Sequence, residues 1–338
     1  MTLRIYLAVL FVASSGVAAC SDKPSGEVAD SHPPPAIHLS KQAKGFMQKM
    51  ASMPAPNPVA QYEATRGAGK KAPARPERWK IKGEYNVEPV DTNSTVSYWI
   101  TSPEQTDTKH VILFVHGGAY IFGNAAKSIE LPLRLGRAAG MKVLSVSHRL
   151  APEDPWPAAL NDCLDAYAWL IEQGYAPENI AWAGISSGGG LVLSMANAAK
   201  IRGIPLPAAI YSMSALADLT LSGDSHVTIK ASDHFMGHAD MQKLADMYVG
   251  DADPYNPTIS PVYGDLSGLP PTLIEPGSRE IIVSDSILWA RKARDAGVDV
   301  TLDIWDGQGH GFQVFPMLPE AQQAVKYGAA FLKSHLDN

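Results

Sequence analysis

Cysteine is scarce in this chain of 338 residues, which contains only Cys20 and Cys163. Two cysteines cannot form the framework of bridges that holds small secreted domains together, so a disulfide-stabilised scaffold is excluded. Cys163 lies in an apolar pattern of helical spacing, which predicts a buried free thiol rather than a site. Cys20 follows a short apolar stretch near the N-terminus, and this position indicates a different use.

Long apolar runs and clustered positive charge are also missing. Beyond the N-terminus no run reaches the roughly 20 apolar residues that a membrane-spanning helix needs. The net charge is −6 and no block of lysine and arginine stands out, so we expect no nucleic-acid partner. With 46% hydrophobic and 18% charged residues, the composition is that of a globular protein with a sizeable core.

Residues 1–19 have the features of a signal peptide. Arg4 provides a positive start, residues 5–13 form an apolar core too short to span a bilayer, and small residues precede Cys20. A cysteine at the cleavage position resembles a bacterial lipobox, which implies lipidation of Cys20 and a membrane partner through that anchor. Ser21 after the cysteine favours an exported envelope lipoprotein of the outer membrane, facing the periplasm. Ordinary secretory cleavage, with Cys20 incidental, is the alternative.

Two segments separate this signal from the main domain. Residues 20–36, which begin with the lipidated cysteine, lack periodicity and predict a flexible tether. Residues 37–78 are assigned to an N-terminal cap, because apolar residues between Leu39 and Met53 recur at helical spacing opposite three lysines. A lid over an active site is the first interpretation of this helix; packing on the domain surface and membrane contact are the alternatives. Residues 54–76 predict a connecting loop.

From residue 79 to the C-terminus, strand and helix patterns alternate. Such alternation with continuous apolar strands predicts an α/β fold, a mostly parallel sheet with helices on both faces. Strands are predicted at residues 80–90, 95–102, 111–115, 143–146, 180–183, 208–213, 272–275 and 300–304, and helices at 158–172, 284–296 and 322–335.

Residues 219–250 break this alternation and predict a helical cap insertion. Three methionines of the insertion either line an acyl pocket or fill the core of the cap itself, and the sequence does not separate these interpretations. They are Met236, Met241 and Met247.

The segment Gly-Ile-Ser-Ser-Gly at residues 184–188 lies between a predicted strand and a predicted helix. Gly-x-Ser-x-Gly in that context is typical of a nucleophile elbow, whose sharp turn exposes the serine hydroxyl beside the helix N-terminus. Gly184 and Gly188 are needed because side chains there would collide with the neighbouring strand and helix. Ser186 is therefore the candidate nucleophile, and a glycine-rich turn without a catalytic role is the alternative.

A serine nucleophile requires a base, an acid that orients the base, and donors for the oxyanion. His310, in a glycine-rich loop after the last predicted strand, is the candidate base. Glu280, in the loop after the strand at 272–275, is the first choice for the acid. Asp285 is the second choice and otherwise, like Ser284, a cap of the following helix; Glu275 is third.

The oxyanion hole is predicted on the loop after the strand at residues 111–115. Gly117, Gly118 and Ala119 follow His116 there, and glycines allow the backbone to approach a substrate closely. The N–H groups of Gly118 and Ala119 should point at the oxyanion together with that of Ser187, the residue after the nucleophile.

These motifs together resemble the bacterial hormone-sensitive-lipase-like (type IV) esterases of the α/β-hydrolase fold, and most of all the branch of acetyl esterases and monoterpene ε-lactone hydrolases. The matching segments are residues 116–119, 148–156, 184–189, 277–285 and 307–312. Several residues depart from the usual pattern: Ala119 replaces a glycine, Ile185 and Ser187 replace Asp and Ala, His148 replaces Tyr, and Glu280 stands where many members have Asp.

The resemblance implies a serine carboxylesterase that needs neither a metal nor another cofactor. The expected substrates are small esters with short to medium acyl chains, because a capped site encloses a limited pocket. A lactone hydrolase with the same machinery and a non-catalytic ligand-binding lipoprotein are the alternatives.

Overall fold

The computed structural model describes residues 39–52, 58–65, 81–229, 233 and 238–336. The predicted signal peptide, Cys20 and the whole of the tether lie outside these ranges. Eight strands of the described part form one sheet. They are β1 (Asn86–Asp91), β2 (Val96–Thr101), β3 (Asp107–Val115), β4 (Met141–Val146), β5 (Ile180–Ile185), β6 (Ala209–Met213), β7 (Thr272–Glu275) and β8 (Val300–Leu302).

The strand order is β1-β2-β4-β3-β5-β6-β7-β8. The β1–β2 and β2–β4 pairs are antiparallel, and all pairs from β4 to β8 are parallel. The central strands β5 and β6 are buried along their whole length, as expected for a parallel sheet covered on both faces. The predicted mostly parallel α/β architecture is confirmed.

Helices cover both faces of the sheet in the described part of the chain. The helices α4, α5, α7 and α8 share one apolar core with β3 and β5, and α3 and α9 share the core of the opposite face. Their bounds are α1 (Lys41–Ala51), α2 (Pro58–Thr65), α3 (Glu130–Ala139), α4 (Ala158–Glu172), α5 (Ser187–Arg202), α6 (Ser225–Thr228), α7 (His238–Val249), α8 (Val283–Asp295) and α9 (Pro319–Leu336). None of these helices combines the length and apolar character needed to cross a membrane.

Two predictions for the N-terminal part and for α8 are wrong. The loop expected at residues 54–76 contains α2, whose Pro58 occupies the helix start, where its missing N–H costs nothing. The cap position of α8 is taken by Ile282 without a side-chain bond, so neither Ser284 nor Asp285 caps this helix.

Cys163 of α4 is buried and free, as the sequence predicted. Methionines of the cap insertion pack inward: Met241 is fully buried in the core that α7 shares with α4 and α5, and Met247 packs against it. For these two methionines the structure favours the core-filling interpretation. Met236 lies outside the described residues.

The predicted amphipathic helix at the N-terminus is α1, and it is attached to the far end of the chain. The Glu320 carboxylate of α9 accepts hydrogen bonds from the backbone N–H of Ser40 at 2.7 Å and from its hydroxyl at 3.0 Å. The Ser40 oxygen also caps α1 by accepting from the N–H of Ala43. Phe46 packs on Phe315 with ring centroids 4.5 Å apart. Because Glu320 is only 4% exposed, these bonds are shielded from water.

The anchoring of α1 gives the first prediction. Replacing Glu320 with alanine should lower the free energy of unfolding by about 1–3 kcal/mol, because the donors of Ser40 lose a buried acceptor, and should speed proteolytic cleavage within residues 39–52. Thermal unfolding and limited proteolysis measure both effects. The control is Lys326→Ala, an exposed position of the same helix. Equal stability and equal cleavage in the two variants would show that Glu320 does not anchor α1.

Candidate active site

Ser186 occupies a strained turn between β5 and α5. Its backbone has φ 58° and ψ −123°, a combination that residues other than glycine adopt only under constraint. A Cβ atom on Gly184 would lie 2.2 Å from the carbonyl oxygen of Gly188, and one on Gly188 would lie 2.2 Å from that of Val115. Both flanking glycines are therefore required by close backbone contacts. This is the geometry predicted for a nucleophile elbow.

The side chains of Ser186, His310 and Glu280 form a continuous hydrogen-bonded chain. His310 Nε2 lies 2.9 Å from Ser186 Oγ, and His310 Nδ1 lies 2.8 Å from Glu280 Oε2. Since a carboxylate only accepts, the Nδ1–H of His310 donates to it, which leaves Nε2 able to accept the proton of the serine. Glu280 is fully buried and the His310 side chain is 12% exposed. The three first-choice residues of the sequence are thus brought together.

Glu280 and His310 shift each other's pKa values. Burial raises the pKa of Glu280, although its hydrogen bonds with His310 and with the Ser214 hydroxyl oppose this effect. Burial lowers the pKa of His310, but the hydrogen bond and the charge of Glu280 outweigh it, so the pKa of His310 lies above its ordinary value. The Gly277 N–H donates to the second oxygen of Glu280 at 3.2 Å. Glu280 therefore stabilises the imidazolium that forms when His310 accepts a proton.

Asp285, the second choice for the acid, is directed elsewhere. Its Oδ2 accepts hydrogen bonds from the N–H groups of Ala217 and Asp218, each at 3.0 Å, and its Oδ1 lies 3.3 Å from Nε2 of His226. Burial raises the pKa of the Asp285 carboxyl. Asp285 therefore links α8 to the residues just before the cap insertion. The carboxylate in contact with the candidate base is that of Glu280.

Glu275, the third choice, is buried at the end of β7 between aromatic partners. It accepts a hydrogen bond from the Tyr211 hydroxyl and one from Trp305 Nε1 at 3.2 Å. Burial raises its pKa well above the usual range. Among the described residues, no group of three or more His, Cys, Asp and Glu side chains is arranged to hold a metal ion.

The predicted oxyanion loop is a tight turn with unusual backbone angles. Gly118 has φ 137°, and a Cβ atom there would lie 1.9 Å from the carbonyl oxygen of Phe122. Ala119 has φ 54°, a left-handed conformation that suits the usual glycine and that alanine adopts at a cost of about 1–2 kcal/mol. In the described part of the chain, the N–H groups of Gly118, Ala119 and Ser187 donate no hydrogen bond, so they are available to an incoming oxyanion.

A stacked pair of buried histidines supports this loop, and the sequence did not reveal it. The rings of His116 and His148 lie 4.3 Å apart with an interplanar angle of 17°. His116 Nδ1–H donates to the Gly117 carbonyl at 2.9 Å, and His148 Nδ1–H donates to that of Arg149 at 2.8 Å. Burial, with His148 nearby, lowers the pKa of His116 to about 3, and burial also lowers that of His148. The pair is therefore uncharged. The sequence showed only that His148 stands where tyrosine is usual, which does not by itself predict a stack with His116.

Cap elements reach the site from two sides. Phe46 and Met47 of α1 line a small recess together with Gln308, Gly309 and His310, and Phe46 also packs on Phe315. These contacts fit both a lid and a helix packed on the domain surface, so the lid interpretation of α1 stays a prediction. From the cap insertion, Asp233 accepts a hydrogen bond from the N–H of Ile281 at 2.8 Å, next to Glu280. No pattern in the sequence indicates this contact.

Comparison with known proteins agrees with the geometry. A family model described as the alpha/beta hydrolase fold matches residues 112–314. An acetyl-hydrolase of Streptomyces hygroscopicus is 38% identical over 256 residues, which are 75% of this chain and 85% of that protein. The crystal structure of an esterase from the bacterial hormone-sensitive lipase family is 33% identical with a TM-score of 0.77, covering 87% of this chain and 97% of the other.

A further solved structure is that of EstE5, soaked with p-nitrophenyl butyrate. It is 31% identical with a TM-score of 0.78, and the match covers 88% of this chain and all of EstE5. On the strength of its sheet, its elbow and these relatives, the chain belongs to the hormone-sensitive-lipase-like (type IV) esterases of the α/β-hydrolase family.

Proposed function

We propose that the protein hydrolyses small carboxylic esters through an acyl-enzyme, with Ser186 as nucleophile, His310 as base and Glu280 as the acid that orients the base. The observation that carries this proposal is the hydrogen-bonded chain from Ser186 Oγ through His310 to Glu280, at 2.9 and 2.8 Å. Its distances are those at which a base takes a proton from a nucleophile.

The reaction has two halves. Ser186 Oγ attacks the acyl carbon while His310 Nε2 takes its proton, and collapse of the tetrahedral intermediate breaks the bond to the alcohol, which leaves with the proton of His310. A water molecule then gives a proton to His310 and attacks the acyl-enzyme, which releases the acid and returns the proton to Ser186. Glu280 stabilises the imidazolium in both halves and remains ionised.

The oxyanion of each intermediate is assigned to the N–H groups of Gly118, Ala119 and Ser187. Two features support this assignment: these groups have no other hydrogen-bond acceptor in the described part of the chain, and Ser187 is the first residue of α5, whose N-terminus favours negative charge.

Short to medium acyl chains are the proposed substrates. A site enclosed by cap elements has limited room for a long acyl chain, and Phe46 and Met47 of α1 and Asp233 of the insertion lie beside the loops of His310 and Glu280. The Streptomyces hygroscopicus relative is named an acetyl-hydrolase, and EstE5 was soaked with a butyrate ester.

We also propose that Cys20 carries a lipid that attaches the protein to the outer membrane on its periplasmic side. The support is the sequence of residues 1–20, with its basic start, short apolar core and small residues before the cysteine. These residues lie outside the described ranges.

The proposed function predicts the outcome of an acyl-length series. With p-nitrophenyl esters from acetate to palmitate, kcat/KM should be highest for the short esters and fall for long chains. Ser186→Ala should lower kcat by at least about 10⁴-fold, because the acyl-enzyme cannot form. The matched control is Ser194→Ala, which removes the hydroxyl of a buried serine within α5 and should retain activity. Full activity of Ser186→Ala would show that Ser186 is not the nucleophile.

The assignment of the acid predicts a change in pH dependence. Glu280 raises the pKa of His310, so Glu280→Gln should move the acidic limb of the kcat/KM profile to lower pH, because the base loses its proton more readily. The plateau should fall by about 10²–10⁴-fold, because the imidazolium loses its partner. Asp285→Asn should leave the limb in place and reduce thermal stability. A shifted limb in Asp285→Asn alone would reverse the assignment.

The lipid anchor predicts incorporation of a labelled fatty acid. In bacteria fed an alkyne-bearing palmitate, the wild-type protein should be labelled and found in the membrane fraction. Cys20→Ser should lose the label, and Cys163→Ser, which changes a buried core thiol, should keep it. Unlabelled wild-type protein released from the cells would contradict the anchor.

A further inference from the structure

Asp233 of the cap insertion contacts the loop that carries the proposed catalytic acid. Its Oδ2 accepts a hydrogen bond from the N–H of Ile281 at 2.8 Å, and Ile281 directly follows Glu280. Asp233 is only 9% exposed and the contact is buried. A hydrogen bond between residues 48 positions apart joins the insertion to the backbone that directs the Glu280 side chain.

The negative charge of Asp233 also acts on both partners of the Glu280–His310 pair. Burial is the main cause that raises the pKa of Glu280, and Glu280 is the main cause that raises the pKa of His310 against the effect of burial. The charge of Asp233 adds a smaller contribution in the same direction to each, because two carboxylates repel and a carboxylate favours the imidazolium. Three titratable groups therefore form one cluster: Glu280 from the β7–α8 loop, His310 from the β8–α9 loop and Asp233 from the insertion. The Ser214 hydroxyl and the Gly277 N–H are its polar neighbours.

We propose that Asp233 is a positioning residue of the active site: it holds the backbone beside Glu280 and supplies a second negative charge to the Glu280–His310 pair. This inference rests on the proposed function, in which His310 becomes positively charged during the reaction. Asp233 acts through the Ile281 N–H and through its charge, and it has no step of its own in the proposed reaction.

The physical consequence is a dependence of the base on the cap. His310 gains a proton as the tetrahedral intermediate forms, and a nearby carboxylate in a site shielded from water lowers the free energy of that state. Because Asp233 comes from the insertion and not from the sheet, this stabilisation exists only while the insertion contacts the β7–α8 loop. The cap thus contributes to the chemistry as well as to enclosure.

Two substitutions separate the hydrogen bond from the charge. Asp233→Asn keeps a carbonyl oxygen that can accept from the Ile281 N–H but removes the charge, whereas Asp233→Ala removes both. Asp224→Asn is the matched control, since it removes one negative charge from an exposed position of the same insertion.

The experiment measures kcat/KM for p-nitrophenyl butyrate against pH in the wild type and these three variants, with Ser186→Ala as the blank. In Asp233→Asn the acidic limb should move to lower pH and the plateau should fall by several-fold. In Asp233→Ala the plateau should fall further, by about tenfold or more, because the acid is also displaced. Asp224→Asn should match the wild type. An Asp233→Asn profile identical to that of the wild type would overturn the inference.

A second readout does not depend on ester turnover. In protein labelled with ¹⁵N-histidine, with the His310 signal assigned by its absence in His310→Gln, NMR titration should give a lower pKa for His310 in Asp233→Asn than in the wild type. An unchanged His310 pKa would overturn the inference even if esters are hydrolysed. If the wild-type protein hydrolyses no ester but the His310 pKa is lower in Asp233→Asn, the result contradicts only the proposed function.

Discussion

The backbone of Ser186 is the constraint on which the rest of the site depends. A left-handed φ at a serine costs roughly 1–3 kcal/mol and persists only when the surroundings fix it. Here the surroundings are β5, α5 and the end of β3. Their backbones are in direct contact, because Gly184 and Gly188 have no side chain that would hold them apart. The turn exposes the hydroxyl, and its direction decides where a base must lie. The loops that follow β7 and β8 can then be understood as the means of bringing His310 and Glu280 to that point.

Three buried carboxyl groups lie near the carboxyl ends of the strands, and their environments give them different roles. Glu280 has an imidazole as its main partner, so it can hold a charge that the reaction requires. Asp285 is occupied by two backbone N–H groups and His226, which suits a structural link. Among the described residues, the Glu275 carboxyl accepts from the neutral donors of Tyr211 and Trp305, and burial raises its pKa well above the usual range. Partners, not residue type, distinguish the carboxyl group that meets His310 from its neighbours.

The sequence predicted those features that local pattern controls. Strands buried on both faces are continuous apolar runs, and the elbow needs two glycines at fixed spacing, so both were visible in the chain. The features it did not predict depend on contacts between distant residues. Ser40 and Glu320 are 280 positions apart, Asp233 and Ile281 are 48 apart, and the histidine stack joins two separate loops. The choice between Glu280 and Asp285 was open for the same reason, since only the fold decides which carboxylate meets His310.

The nucleophile and its two partners are held by different parts of the molecule. Ser186 is fixed by the sheet and α5, within the main core. Leu39, just before α1, lies close to Gly307 in the loop of His310, and Phe46 and Met47 of α1 line the recess beside the base. The loop of Glu280 is held by Asp233 of the insertion. Displacement of either cap element would therefore disturb the base or the acid while leaving the serine in place. In this arrangement the two elements that the sequence assigns to the cap, α1 and the insertion, are also the elements that contact the loops of His310 and Glu280.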